Sequence, residues 1–130
     1  RVKLKNLDSD NIRRQKHACE YDKALKGLPL KLPPVRKDAT HVFHLYVTQC
    51  EKRDDLKKKL QENGINSVIH YPVPVHRQDY YKKLFGKISL PVTEQISKKI
   101  LSLPIYPEFS ETDRNIVIKF IMDFFSKNEN

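Results

Sequence analysis

The sequence predicts a small domain of the α/β (α+β) class, with two or three short strands packed against helices. Helical and extended patterns alternate along the 130 residues, in the order helix, strand, helix, strand, helices, short strand, helix. The strand candidates are short, and the last helix has a broad apolar face suited to cover a sheet. Helices between the strands permit parallel pairing, so spacing alone leaves the strand direction open. A chain of this length fits one domain with a modest core.

The first predicted element is a helix over residues 9–28, with Asp8 or Ser9 as its N-cap. Ile12 and Cys19 fall on one face of this helix, away from a separate apolar stripe. The stripe consists of Ala18, Tyr21, Leu25 and Leu28. A helix with two apolar faces is expected to bridge two bodies of structure, because one face would otherwise be left in water.

A strand and a short helix are predicted next. Residues 41–50 are rich in β-branched and aromatic side chains, which favour a strand. Residues 54–63 form a short helix with Leu56 and Leu60 facing inward. Gly64 then suits the left-handed position that ends a helix.

The middle of the chain is predicted to contain four further elements. Residues 66–71 are a second strand, and residues 79–85 form one or two helical turns. Three apolar side chains are expected to anchor those turns, namely Tyr80, Leu84 and Phe85. Pro91 begins another helix, and residues 101–103 form a short strand.

The C-terminal helix has the strongest amphipathic pattern in the chain. Ser110 and Asp113 resemble a capping box in which Asp takes the place of Glu. Six apolar residues share one broad face that is expected to cover the core. They are Ile116, Val117, Phe120, Ile121, Phe124 and Phe125.

Composition excludes a membrane protein and suggests a piece of a longer one. No apolar run approaches the roughly 20 residues that a membrane span needs, and from the charges near the start we expect no signal peptide. The chain begins at Arg1 and its single methionine is Met122, so we expect a fragment or a processed product. Cys19 and Cys50 lack metal-type spacing and are expected to be buried free thiols in a reducing compartment.

The histidines do not predict a metal site. His41 and His44 would point to opposite sides of a strand. His70 and His76 can approach each other, but Asp79 is the only carboxylate near them in sequence. A hydrolytic triad and a phosphate-binding loop are not predicted either, because three glycines in the whole chain supply neither a nucleophile elbow nor a glycine-rich loop.

Two stretches carry the most specific motifs of the chain. Residues 70–76 read His-Tyr-Pro-Val-Pro-Val-His, and residues 101–107 read Leu-Ser-Leu-Pro-Ile-Tyr-Pro. Pro72 and Pro74 fix φ and disfavour helix at the residues before them, which predicts a stiff, displayed loop. We call residues 70–76 the proline loop.

These motifs resemble the C-terminal small domain of the DegT–StrS group of PLP-dependent nucleotide-sugar aminotransferases. The resemblance extends over nearly the whole chain. Further similar stretches are residues 1–8, 11–15, 21–25, 41–47, 53–65 and 90–94.

The resemblance implies an interdomain helix over residues 1–28 and a C-terminal small domain over residues 29–130, with a mostly antiparallel sheet as in fold-type I PLP aminotransferases. It implies that a large PLP-binding domain, with the Schiff-base lysine and an acidic partner for the pyridinium nitrogen, precedes Arg1. This chain alone is therefore expected to be inactive. The resemblance further implies glutamate as amino donor, a nucleotide-linked keto sugar as acceptor, and a cytoplasmic homodimer.

The resemblance also implies substrate-binding residues. In that family the proline loop borders the substrate side of the cleft, so His70, Tyr71 and His76 would offer hydrogen bonds or stacking to the nucleotide sugar. Alternatively, His70 and Tyr71 are packed residues that shape the loop, and His76, beyond both prolines, is the favoured functional residue. No catalytic, cofactor-binding or metal-binding residue is predicted within this chain.

Two alternative functions stay open at this point. Some relatives are PLP-dependent sugar dehydratases with histidine in place of the lysine, and that position lies outside this sequence. A small basic nucleic-acid-binding module is the other alternative, because the charge of +9 lies mostly in residues 1–60. No aromatic residues interleave with the lysines at 57–59, which disfavours single-strand binding.

Overall fold

A computed structural model describes residues 1–127, so the last three residues of the predicted domain 29–130 lie outside the described part. A short 3-10 turn at Lys3–Asn6 precedes the first helix, and another lies at Val75–Arg77. The helices are α1 (Leu7–Ala24), α2 (Arg53–Glu62), α3 (Asp79–Phe85), α4 (Pro91–Lys99) and α5 (Glu111–Ser126). The strands are β1 (Tyr46–Gln49) and β2 (Ile100–Leu103).

The two strands form an antiparallel sheet, which confirms the predicted fold class. Tyr46 lies opposite Leu103, and Gln49 lies opposite Ile100. The Thr48 hydroxyl donates a hydrogen bond of 3.0 Å to the carbonyl of Leu101, so a buried polar group on the sheet is satisfied.

The predicted strand over residues 41–50 is wrong in its first half. Pairing is confined to β1 because β2 is equally short, and Pro104 after it has no N–H to extend the ladder. Phe43 has a left-handed φ of 49°, which is incompatible with a continuous strand, yet its side chain is buried.

The predicted strand over residues 66–71 is reduced to a single antiparallel bridge. Val68 and Ser102 exchange two backbone hydrogen bonds of 2.8 and 3.2 Å. Pro72 lacks the donor that further pairing would need. The bridge nevertheless fixes the start of the proline loop beside β2.

The core lies between the sheet and helices α1, α2 and α5. Most of its side chains were expected to face inward, including the two leucines of α2, which are fully buried. The largest fully buried side chains are Tyr21, Leu25, Tyr46, Leu56, Leu60, Leu101 and Ile121. In α5 the predicted apolar face is confirmed except at Ile116, which is 43% exposed.

Three helix ends lie where capping and helix-terminating residues predicted them. The Ser110 hydroxyl accepts the backbone N–H of Asp113 at 3.0 Å and caps α5. Gly64 has a left-handed φ of 73° after α2, and Ile65 donates back to the carbonyl of Leu60. Pro91 occupies the first turn of α4.

Helix α1 differs from its prediction at both ends. It begins at Leu7 rather than residue 9, because the preceding 3-10 turn leads into it without a side-chain cap, and Ser9 instead donates to the carbonyl of Asn6. It ends at Ala24, before the left-handed Gly27. The second apolar face is confirmed as unpacked, since Ile12 is 65% exposed.

The two cysteines are free, as predicted, but only one is buried. Cys50 follows β1 and is 3% exposed, and burial raises the pKa of its thiol. Cys19 is exposed on the unpacked side of α1, so the prediction of two buried thiols is wrong there. No helix in residues 1–127 is long and apolar enough to cross a membrane.

Residues 71–99, which we call the outer segment, contain the proline loop after His70, then α3 and α4. None of their apolar side chains is buried. The predicted anchoring of α3 is therefore wrong, with Tyr80, Leu84 and Phe85 exposed by 57–67%. These side chains find no core to enter, because α3 contacts the adjoining 3-10 turn rather than the sheet.

Candidate functional site

A groove of about 580 Å³ runs beside the start of the proline loop. It is mostly apolar, with a few polar groups, which is the usual character of a ligand site. Its floor comes from the end of β2 and from Val68, and one wall comes from α5. The polar side chains along it are Asn63, Asn66, His70, Ser102, Tyr106 and Asp113.

His70 is fixed at this groove by a contact to the sheet. Its Nδ1 lies 2.9 Å from the hydroxyl oxygen of Ser102, and its ring is half-buried. Ser102 is itself 4% exposed and lies in the middle of β2. The bridge through Val68 brings the two residues together, because it places the loop directly beside β2. The second ring nitrogen, Nε2, has no hydrogen-bond partner among residues 1–127 and can engage another molecule.

Tyr71 is an exposed side chain of the proline loop, at 72%. The peptide bond before it is cis, and its ring packs edge-on against the His70 imidazole with the ring centroids 5.5 Å apart. No hydrogen bond of the Tyr71 hydroxyl occurs among residues 1–127. A phenol in this position can stack with, or donate to, a molecule in front of the loop.

His76 is held in a different place from His70. Its Nε2 lies 3.0 Å from Oε1 of Glu94 in α4, and its side chain is only 8% exposed. The ring also borders a small apolar pocket of about 280 Å³ formed with α3 and α4. The structure therefore places the two loop histidines at two separate concavities.

Glu94 connects α4 to the residues that precede it through three contacts, one of which is to His76 of the proline loop. Beside His76, it accepts the backbone N–H of Leu90 at 3.0 Å and the guanidinium Nη2 of Arg77 at 2.6 Å. These hydrogen bonds, led by the one from Arg77, lower the pKa of the Glu94 carboxyl to about 2. The carboxylate therefore stays ionised throughout the physiological range.

The role of Glu94 was missed by the sequence analysis, although a signal was present. Glu94 lies in the first turn of α4, three residues after Pro91, where a glutamate can reach back to the backbone before the helix. That geometry predicts a carboxylate directed at the chain entering α4. Its contacts with His76 and Arg77 depend on tertiary structure.

The sequence pattern also did not indicate that two arginines, Arg53 and Arg114, are buried and join separate elements. Arg53 donates to the carbonyls of Ser97 and Ile100 at 3.3 and 3.1 Å, so it ties α2 to the end of α4. Arg114 in α5 lies 3.2 Å from Nδ1 of His17 in α1. Burial, followed by the charge of Arg114, lowers the pKa of His17, so its neutral ring accepts this hydrogen bond.

The groove does not fit PLP as a covalent site of this chain. A Schiff base needs a lysine amine beside the bound cofactor, and none of the residues that line the groove is a lysine. Within residues 1–127 no three histidine, cysteine or carboxylate side chains are grouped as metal ligands. What the groove can do is bind and orient a molecule through its apolar floor and its polar rim.

Comparisons with known proteins agree over at least nine-tenths of the chain. The sequence profile of the DegT/DnrJ/EryC1/StrS aminotransferase family matches residues 1–122. The chain is 37% identical over 120 residues to a dTDP-3-amino-3,6-dideoxy-alpha-D-galactopyranose transaminase of Aneurinibacillus thermoaerophilus, covering 92% of this chain and 33% of the relative.

Solved structures give the same answer. The chain resembles S. venezuelae DesV in complex with a ketimine intermediate, with a TM-score of 0.90 and 38% identity, covering 95% of this chain and 34% of DesV. It also resembles Bacillus subtilis NtdA with bound cofactor PMP, with a TM-score of 0.80 and 28% identity, covering 90% of this chain and 28% of NtdA. The chain spans about a third of the length of these relatives. It belongs to the DegT/DnrJ/EryC1/StrS aminotransferase family.

Proposed function

We propose that this chain is the C-terminal part of a PLP-dependent enzyme that transfers an amino group from glutamate to a keto sugar carried on a nucleotide. The observation that carries the proposal is the 38% identity and TM-score of 0.90 to DesV over 95% of the chain. The sugar transaminase of A. thermoaerophilus, matched over 92% of the chain, supports the same chemistry. Residues 1–28 act as the interdomain helix and residues 29–130 as the small domain.

PLP supplies the electron sink for the transfer when it is bound. We assign the Schiff-base lysine and the acidic partner of the cofactor ring to a large domain outside this chain. The absence of a lysine from the lining of the groove supports that assignment. On this proposal the chain alone is inactive and binds no PLP stoichiometrically.

In this proposal the small domain binds and orients the nucleotide sugar. His70 is suited to a direct contact, because Ser102 engages one ring nitrogen and leaves the other free. Tyr71 contributes an exposed aromatic ring. His76 is also assigned to substrate binding, and since its ring is nearly buried, its contribution is through the shape of the loop.

The exposed apolar side chains of this chain support the proposal that other parts of the enzyme cover them. Ile12 on α1 and the apolar side chains of the outer segment remain in water in the described chain. Patches of this kind mark interaction surfaces. The large domain and a second subunit of a cytoplasmic homodimer are the proposed partners.

The test is the visible spectrum of the full-length enzyme, meaning the protein that contains this chain and a PLP-binding domain. The proposal expects a bound-cofactor band that bleaches on adding glutamate and returns on adding a nucleotide-linked keto sugar, with an amino sugar as product. A band indifferent to glutamate would instead indicate the dehydratase alternative. A protein without any cofactor band would contradict both.

A pair of variants tests the assignment of the groove. His70→Ala is expected to raise KM for the nucleotide sugar while the reaction with glutamate alone keeps its rate. The matched control is His44→Ala, since His44 is an exposed histidine outside the residues that line the groove. Equal effects of both variants on KM would contradict the assignment of His70 to the substrate site.

A further inference from the structure

We propose that Glu94 is a positioning residue that fixes His76 and Arg77, and with them the shape of the proline loop presented to the nucleotide sugar. The identity of the substrate rests on the proposed function above. The positioning itself rests on contacts within this chain.

Both carboxylate oxygens of Glu94 are engaged. Oε1 accepts the backbone N–H of Leu90 and lies 3.0 Å from the imidazole Nε2 of His76. Oε2 accepts Nη2 of Arg77 at 2.6 Å. We call this set of contacts the Glu94 clasp. A charged acceptor that is only 23% exposed makes such hydrogen bonds stronger than neutral ones on the surface.

The clasp matters because, among residues 1–127, residues 71–90 make no other side-chain hydrogen bond to the rest of the chain. None of the apolar side chains in residues 71–99 is buried, so hydrophobic packing does not define the loop. Pro72 and Pro74 fix φ at their own positions only. Residues 75–77 form one 3-10 turn, and the contacts of this turn with α4 pass through the side chains that Glu94 holds.

The clasp also leaves the neighbouring side chains of His76 and Arg77 exposed to different extents. It draws the His76 side chain inward to 8% exposure and leaves Arg77 47% exposed. Nη1 and Nε of Arg77 have no hydrogen-bond partner within residues 1–127. A guanidinium held by one nitrogen and free at the others is suited to the anionic diphosphate of a nucleotide sugar.

The experiment compares Glu94→Ala and Glu94→Gln in the full-length enzyme with the control Glu111→Ala. Glu111 is also in the first turn of a helix and pairs with one cation, Lys16, but it lies outside the proline loop. Glu94→Ala is expected to raise KM for the nucleotide sugar roughly tenfold, the scale of one lost charge-assisted hydrogen bond. The value of kcat and the reaction with glutamate alone are expected to stay within about twofold of the parent enzyme.

Glu94→Gln is expected to fall between the parent and Glu94→Ala. Its amide oxygen can still accept from Leu90 or His76, but it no longer forms a charged pair with Arg77. Glu111→Ala is expected to leave KM unchanged. This order separates positioning of the loop from a general loss of negative charge.

Hydrogen exchange on the same full-length variants supplies a second readout. Backbone amides of residues 75–78 are expected to exchange faster in Glu94→Ala, while those of β1 and β2 keep their protection. An unchanged KM would overturn the proposal, whatever the exchange. Loss of protection in the strands, or an equal fall in the glutamate reaction, would show a general structural role and would also overturn it.

The proposed function can fail separately. If the parent enzyme does not act on nucleotide sugars, the substrate assignment falls, and exchange alone decides the role of Glu94. Faster hydrogen exchange confined to residues 75–78 in Glu94→Ala would then still show that the Glu94 clasp holds the loop in place. Unaltered exchange there would overturn it.

Discussion

The core and the outer segment of this chain are held together in opposite ways. In the core, helices α1, α2 and α5 and the sheet bury apolar side chains completely, and local end signals agree with that packing. In the outer segment, the large apolar side chains stay in water, and hydrogen bonds make the connecting contacts. Glu94 makes three of them, and Arg53 of α2 donates to the carbonyl of Ser97 at the end of the segment. One region is therefore defined by burial, and the other by hydrogen bonds, several of which meet at Glu94.

This difference agrees with the proposed function, in which the core keeps the chain folded and the outer segment meets another domain and the substrate. A surface that must meet another domain and a substrate cannot also use its apolar side chains for its own core. Polar contacts can still fix the conformation of such a segment. Because several of them meet at one residue, a single substitution there is expected to disturb it.

The largest effect is expected from a pair of leucine truncations. Leu60 is fully buried in the core, and Leu84 in the outer segment is 57% exposed. The same substitution at both positions therefore compares the stability that each region contributes. Leu60→Ala is expected to lower the free energy of unfolding of this chain by about 2–5 kcal/mol. Leu84→Ala is expected to change it by less than about 0.5 kcal/mol. Urea denaturation measures both, and equal losses would show that the outer segment has a core of its own.

A smaller effect is expected from removing one buried hydroxyl. Tyr46 donates to Asp22 in α1 at 2.5 Å and is fully buried, and burial raises the pKa of its phenol. Tyr46→Phe is expected to cost about 1–3 kcal/mol of unfolding free energy, because the acceptor is a carboxylate. Tyr80→Phe is the control, since Tyr80 is 67% exposed. A loss in the control as large as in Tyr46→Phe would contradict the contrast.

The pH dependence of unfolding is expected to report on the core through His17. The pKa of His17 lies below its ordinary value of 6.5, because the ring is buried and faces Arg114 and Lys16, while Glu111 and the Pro107 carbonyl oppose that shift. The unfolded chain therefore binds a proton more readily than the folded one. Its contribution to stability is complete above pH 6.5 and is lost as the pH falls below it.

The measurement is the unfolding midpoint in urea between pH 8 and pH 5. His17→Gln is expected to flatten the decline below pH 6.5, since glutamine has no ionisation in this range. A decline of the same steepness in His17→Gln would assign the effect to other groups.

The smallest effect on global stability is expected from acid titration of Glu94. Its pKa is held at about 2, below the ordinary 4.5, so the clasp is fully formed above pH 4.5 and is lost as the pH falls through about 2. The chemical shift of the Leu90 amide proton, which Glu94 accepts, is expected to titrate with that low midpoint. A midpoint near 4.5 would mean that the clasp does not form in solution, and Glu94→Gln should abolish the titration.

The helices were largely predictable because their signals are local. Ser110, Gly64 and Pro91 each act on backbone groups within a few residues, so their roles follow from the sequence. The strands were overpredicted because pairing depends on a partner far along the chain. β1 has four residues because β2 has four, and Pro104 ends β2.

The existence of the proline loop was predictable, but the contacts that its histidines make were not. The two prolines marked a displayed loop, and the structure has it beside β2. The partners Ser102 and Glu94 lie 32 and 18 residues away from His70 and His76, so no local pattern joins them. The exposure of Tyr80 was missed for a similar reason, since apolar spacing indicates a helix face without saying what covers it.

The sequence by itself determined the family, the fold class, the helix ends marked by Ser110, Gly64 and Pro91, and the existence of the proline loop. These follow from motifs and from interactions within one or two turns of the chain. Tertiary structure alone decided where the strands stop, that Phe43 turns inward with a left-handed φ, and that Glu94 joins His76 to Arg77. The physical reason is that burial, strand pairing and a shared carboxylate depend on which distant residues meet, and this is settled only when the whole core packs.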